Sequence, residues 1–228
     1  TITCSDDIST EATSSAGASV SYDTTATDVG DASLDMTYSA ASGSTFAIGT
    51  TTVTATATDD SGNVSTCSFD VTVVDTTVPT ITCPPALLPV EATSSAGAAV
   101  IYNAAVATDI GDDDVTITYS AASGSTFAIG TTTVTVTATD DSSNVSTCSF
   151  DVVVTDINAP TITCAAAPGA AEATSSAGAA VSYDAATATD IGDSDLSVVY
   201  TAASGSTFAI GTTTVTATAT DDNGNSST

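Results

Sequence analysis

Three consecutive stretches decide the fold: Thr51-Thr-Val-Thr-Ala-Thr-Ala-Thr58, then Asp59-Asp-Ser-Gly-Asn63, then Ser68-Phe-Asp-Val-Thr-Val-Val74. The outer two alternate β-branched or small apolar residues with polar ones, the period of a strand buried on one face. The middle one carries the Asp, Ser, Gly and Asn of a tight turn. Together they read as a β-hairpin. Further strands are expected around Ala18–Tyr22 and Leu34–Tyr38, and no helical period occurs anywhere. Short strands at this spacing predict an all-β chain of immunoglobulin-like β-sandwiches.

The unit is written three times. Tyr38-Ser-Ala-Ala-Ser-Gly-Ser-Thr-Phe-Ala-Ile-Gly-Thr-Thr-Thr-Val53 returns almost unchanged from Tyr119 and from Tyr200, and Glu11-Ala-Thr-Ser-Ser-Ala-Gly-Ala18 returns at Glu91 and Glu172. A period near 80 residues is too long for a solenoid turn and suits a small domain. Length alone suggests one or two domains; the repeats predict three in a linear array, over 1–76, 77–157 and 158–228, the last without its final strand. Strand-like Thr1-Ile2-Thr3-Cys4 at the start suggests a mature or truncated product. Near-identical units suggest a window on a longer repeat array, and not strand exchange between subunits.

Cysteines bracket the units. Cys4 and Cys67 flank the first, Cys83 and Cys148 the second, and Cys164 opens the third, its partner falling just beyond Thr228 at the same spacing. Pairing within each unit would support a core made mainly of Ala and Val, and would place the protein in an oxidising compartment outside the cell.

Composition narrows the function. There are 27 acidic side chains and no Lys, Arg or His, for a net charge of −27. Nucleic acid and anionic membrane are excluded as partners, because both require a basic patch. No apolar run reaches the length of a membrane span. Without His there is no Ser/His or Cys/His pair, and no carboxylate dyad stands out from the turn aspartates, so no enzyme is expected. Every carboxylate must be solvated or neutralised by something the chain does not encode, and clustered Asp suits Ca²⁺.

Several motifs resemble the hyalin repeat (HYR) domain: Ile81-Thr-Cys-Pro84, Ser42-Gly-Ser-Thr-Phe-x-Ile-Gly-Thr-Thr-Thr-Val53, Ala57-Thr-Asp-Asp-Ser-Gly-Asn63 and Cys67-Ser-Phe-x-Val71. The resemblance covers the whole chain and implies tandem, extracellular, immunoglobulin-like modules associated with adhesion and matrix. The family commonly carries a second cysteine pair in its middle strands. Here those positions hold Tyr38 and Ala55, Tyr119 and Val136, and Tyr200 and Ala217. Both members are replaced in every unit, which supports pairing of the outer cysteines with each other.

In such a sandwich two acidic loops meet at the pole that faces the incoming linker. For the second unit these are Asp109-Ile-Gly-Asp-Asp-Asp114 and Asp140-Asp-Ser-Ser-Asn144, with linker residue Asp75; for the third, Asp190-Ile-Gly-Asp-Ser-Asp195 and Asp221-Asp-Asn-Gly-Asn225, with Asp156. The candidate Ca²⁺ ligands are therefore Asp75, Asp109, Asp112, Asp140 and Asp141 at one junction and Asp156, Asp190, Asp193, Asp221 and Asp222 at the next. Glu11 and Glu91 of the preceding units lie within reach of these junctions. The layout resembles that of cadherins. The competing reading is that these Asp only build turns.

Asn63, Asn144 and Asn225 each begin an Asn-x-Ser acceptor for N-glycans, though the turn also accounts for them. Thr and Ser make up about a third of the chain, and their outward strand positions offer O-glycan sites. The reading that follows is a structural protein: a segment of an extracellular fibril, rigidified by Ca²⁺, with covalent glycans and with further copies of the same repeat as partners. The alternative is an adhesin stalk or receptor segment binding a protein or carbohydrate.

Overall fold

The computed structural model describes residues 1–228, and every element in it is a β-strand. In the first repeat the long hairpin forms as Gly49–Thr58 and Val64–Val74, paired antiparallel from Gly49 opposite Val73 to Thr58 opposite Val64. Asp35–Tyr38 extends the sheet beside Gly49–Thr58, and Ile8–Glu11 adds to the other edge in parallel with Val71–Val74. Two short antiparallel pairs, Ile2–Thr3 with Thr25–Ala26 and Ala18–Ser19 with Thr45–Phe46, form the facing layer. The chain is thus three tandem immunoglobulin-like β-sandwich repeats.

Alternation along the hairpin fills the core. Val53, Ala55 and Ala57 point inward from one strand and Phe69, Val71 and Val73 from the other, while Thr50, Thr52 and Thr54 are exposed. Ala12, Ala18, Val20 and Phe46 close the opposite side. Each buried Val or Phe contributes roughly 1.5–3 kcal/mol, and the Cys4–Cys67 and Cys83–Cys148 disulfides fasten the first two repeats. Tyr22 packs edge-on against Phe69 at 4.9 Å and donates its hydroxyl to the Ala40 carbonyl. Burial, then the nearby Tyr38, pushes its phenol pKa up.

The residues replacing the family's inner cysteines face each other across strands: Tyr38 opposite Ala55, Tyr119 opposite Val136 and Tyr200 opposite Ala217. The expected strand at Ala18–Tyr22 is shorter, Ala18–Ser19 only, because Val20 bonds instead to Ser44 O and Gly43 N in an irregular segment. The recurring Glu-Ala-Thr-Ser-Ser-Ala-Gly motif is a turn closed by Gly17. Its φ is +104°, and an added Cβ would lie 1.8 Å from Phe46 O, so no other residue fits.

By compactness the chain divides into two units. One comprises Thr1–Pro84, Ala104–Ser120 and Thr135–Ser149; the other comprises Pro85–Asn103, Ala121–Val134 and Phe150–Thr228. In the third repeat the sheet consists of Ser197–Tyr200, Ala217–Thr220 and Ser226–Ser227. Ser226 and Ser227 pair with Thr220 and Ala219 as Val64 and Ser65 pair with Thr58 and Ala57, and a cavity of about 760 Å³ is lined by Tyr183, Phe208 and Val215. Cys164, on the same cavity, is unpaired and exposed.

Candidate metal centre

Each of six strands ends at an aspartate. Asp75 follows Val64–Val74, Asp109 follows Val106–Thr108, and Asp140 follows Gly130–Thr139. Asp156, Asp190 and Asp221 follow Val145–Thr155, Thr187–Thr189 and Ala217–Thr220. The fold gathers them into two trios, Asp75–Asp109–Asp140 and Asp156–Asp190–Asp221, with carboxylate oxygens within 4.8 Å of one another. Each trio lies wholly inside one of the two compact units.

The turn role of these aspartates is real. Asp140 accepts hydrogen bonds from the backbone N–H and the side-chain Nδ2 of Asn144, at 2.8 and 2.9 Å. Asn144 Nδ2 also donates to the Asp75 carbonyl at 3.1 Å, tying the linker to the hairpin turn. Asn225 repeats the arrangement with Asp221 and the Asp156 carbonyl. Asp109 and Asp190 accept from the N–H of Gly111 and Gly192, both at 2.7 Å.

Turn chemistry accounts for only one oxygen of each linker aspartate, the Oδ1 that accepts from Thr77 in Asp75 and from Asn158 in Asp156. Asp75 is 8 % exposed and Asp156 is 5 % exposed, and in both Oδ2 is buried without a hydrogen-bond partner. A buried carboxylate oxygen in that state costs free energy unless a cation neutralises it. Burial first, and then the charges of Asp190, Asp221 and Glu91, raise the pKa of Asp156; the Asn158 N–H offsets part of this. Burial acts upward on Asp221 too, but the hydrogen bonds from Asn225, Asn223 and Gly224 together hold that carboxyl below its ordinary value. Hard oxygen donors, negative charge and no competing side-chain cation fit a divalent ion of the Ca²⁺ type.

The other candidate ligands lie outside the two trios. Asp112 accepts from Asp114 N and Asp141 N, and Asp193 from Asp195 N and Asp222 N, so these carboxylates clamp one acidic loop to the other. Asp141 and Asp222 take part through their backbone N–H. Glu11 accepts from the N–H and hydroxyl of Thr76, and Glu91 from Ile157 N and Asn158 Nδ2. At the glycan acceptors, the Nδ2 of Asn63 donates to Asp59, as those of Asn144 and Asn225 do to Asp140 and Asp221. The linker-binding role of Asn144 and Asn225 is not visible in the sequence, where both read as turn residues.

Gly111 and Gly192 are the other residues that sequence reasoning misses. A Cβ on Gly111 would lie 2.4 Å from Asp75 Cγ and Oδ2, and one on Gly192 2.1 Å from Asp156 Oδ2. Neither has a positive φ, so the constraint is the linker carboxylate and not the backbone. Gly111→Ala is expected to evict the Asp75 carboxylate and remove the first site only, at roughly 1–3 kcal/mol of packing strain. Gly30→Ala, whose Cβ meets nothing closer than Asp28 Oδ2 at 3.5 Å, is the control. If each trio takes one Ca²⁺, calorimetric titration should count one site in the first variant and two in the control.

Fold and site together define a tandem-repeat, all-β protein with an acidic trio at each of two linkers. The HYR domain model matches residues 1–73, 74–154 and 155–228, and the chain belongs to the HYR domain family. It is 34% identical over 207 residues to the hyalin of Strongylocentrotus purpuratus and 32% over 216 residues to that of Lytechinus variegatus. These matches take in 88% and 92% of this chain but span only 17% and 40% of the two relatives. Among solved structures, extracellular cadherin domains 1–5 of protocadherin gamma B2 show 17% identity over 99% of this chain and 58% of that one. The TM-score of 0.38 is too low to add to the fold. The chain is an extracellular tandem-repeat protein, in agreement with its two disulfides. No helix is long and apolar enough to cross a membrane.

Proposed function

We propose that this chain is a non-catalytic structural segment of an extracellular fibril, stiffened by Ca²⁺ at its linkers and carrying O-glycans. The observation behind it is the buried, unpartnered Oδ2 of Asp75 and of Asp156 within trios of carboxylates. In this reading Asp75, Asp109 and Asp140 hold one ion, and Asp156, Asp190 and Asp221 a second. The ion supplies the positive charge that the chain lacks, and fixes each linker to the loops of the repeat that follows. Exposed Thr50, Thr52 and Thr54 and their counterparts offer hydroxyls for glycans. The partners are further copies of the repeat.

Negative-stain microscopy of native material tests the proposal together with intact mass. Straight filaments that become sinuous in chelator, and a mass well above the bare 22.0 kDa of this segment, are the expected results. Filaments unaffected by chelator would refute the stiffening role, and a mass equal to the polypeptide would refute the glycans. The adhesin reading, with a protein or carbohydrate ligand, gains nothing from the surface. The aromatic side chains of the first two repeats are buried or partly buried, whereas binding hot spots favour accessible aromatics.

A further inference from the structure

The two carboxylate trios have different surroundings. At the first junction both oxygens of Glu11 are engaged: Oε1 accepts from Thr76 N at 2.6 Å and Oε2 from Thr76 Oγ1 at 3.0 Å. Asp75 Oδ1 also receives two hydrogen bonds, from the N–H and the hydroxyl of Thr77. At the second junction, Ile157 and Asn158 replace these two threonines. Glu91 Oε1 takes both available donors, Ile157 N at 3.0 Å and Asn158 Nδ2 at 2.8 Å. Its Oε2 is left buried with no partner, as is Asp156 Oδ2, and Asp156 Oδ1 keeps a single donor, Asn158 N.

We infer that the two cation sites are unequal: the Asp156–Asp190–Asp221 site recruits Glu91 as a fourth carboxylate and fills with Ca²⁺ before the Asp75–Asp109–Asp140 site. The inference rests on the Ca²⁺ reading above. Its physical basis is ligand charge and freedom, since Ca²⁺ affinity is tuned by the number of charged oxygens and by how far they are committed elsewhere. A carboxylate oxygen that accepts from a hydroxyl can still bind an ion through its other lone pair, but part of its charge is already compensated, whereas a buried orphan oxygen has no such compensation. Glu91 lies outside the trio itself, but its Oε1 accepts from the N–H of Ile157, the residue after Asp156, and from Asn158 Nδ2, so its carboxylate sits on the same linker. The residue after the linker aspartate, Thr76 or Ile157, thus sets whether the preceding Glu is spent or available.

Calorimetric titration of the whole 228-residue chain with CaCl2 tests this. Two steps separated by about tenfold or more in Kd are expected, the tighter one abolished by Asp156→Asn and the weaker by Asp75→Asn. Glu91→Gln keeps the acceptor for Ile157 N–H and should weaken only the tighter step, bringing the two together. Ile157→Thr should do the same by giving Glu91 Oε2 a hydroxyl. Thr76→Val, which frees Glu11 Oε2 and keeps the backbone N–H on Oε1, should tighten the weaker step. Two equal steps in the wild-type chain, or loss of the weaker step in Asp156→Asn, would overturn the inference while leaving the Ca²⁺ reading intact. No heat of binding at all would overturn that reading itself. Far-UV circular dichroism on each variant separates lost ligands from lost fold.

Discussion

Chelation is expected to change how the repeats are joined and to leave each repeat folded. The core and the disulfide lie within a repeat, whereas Asp75 and Asp156 meet their carboxylate partners only at a linker. Without an ion, three carboxylates within 4.8 Å of one another repel, and this repulsion is screened only beyond ~10 Å at 0.1 M salt. Far-UV circular dichroism should therefore be nearly unchanged by chelator. Small-angle scattering should change strongly, from the profile of a stiff particle in millimolar Ca²⁺ to that of a flexible chain without it. Asp156→Asn should loosen the second linker and spare the first. Identical scattering curves in the two conditions would reduce the acidic loops to ordinary turns.

The second large effect is expected from the disulfides. Cys4–Cys67 closes a span of 63 residues and Cys83–Cys148 one of 65. In the chain-entropy model a loop of this length is worth about 4 kcal/mol, against a total of about 5–15 kcal/mol for a whole domain. The double variant Cys4→Ser with Cys67→Ser should lower the melting temperature of the first repeat by roughly 15–30 °C and leave the second repeat's transition in place. A shift of only a few degrees would mean that the Val and Phe core carries the fold unaided.

How much of this was legible in the sequence differs between fold and site. The hairpin Gly49–Thr58 and Val64–Val74 was legible because both of its strands alternate, and alternation has one meaning when one face is buried. The parallel pairing of Ile8–Glu11 with Val71–Val74 was not. Periodicity records which face is buried but not the direction of the neighbour. At the site, composition singled out the acidic loops but could not rank the residues within them. Asp109 and Asp112 stand in one run, and each accepts an N–H two residues ahead. Only the fold turns Asp109 towards Asp75 and gives the second oxygen of Asp112 to Asp141 N. The inequality between Glu11 and Glu91 depends on which donors a linker offers. Thr76 and Ile157 look equivalent until their hydrogen bonds are seen.

The cystine bridges also determine how the chain would respond to a pull along it. A pulling force along the chain enters the first repeat near Cys4 and can leave at Cys67, whose Cα lies 5.8 Å away. The 63-residue span between them is removed from the path of tension, so about 200 Å of extended chain cannot be paid out while the bond is intact. Stretch is then confined to the segments between cystines, such as Ser68–Thr82, which includes the end of the Val64–Val74 strand and Asp75. Under tension, an array of such repeats would extend only in the segments between its cystines.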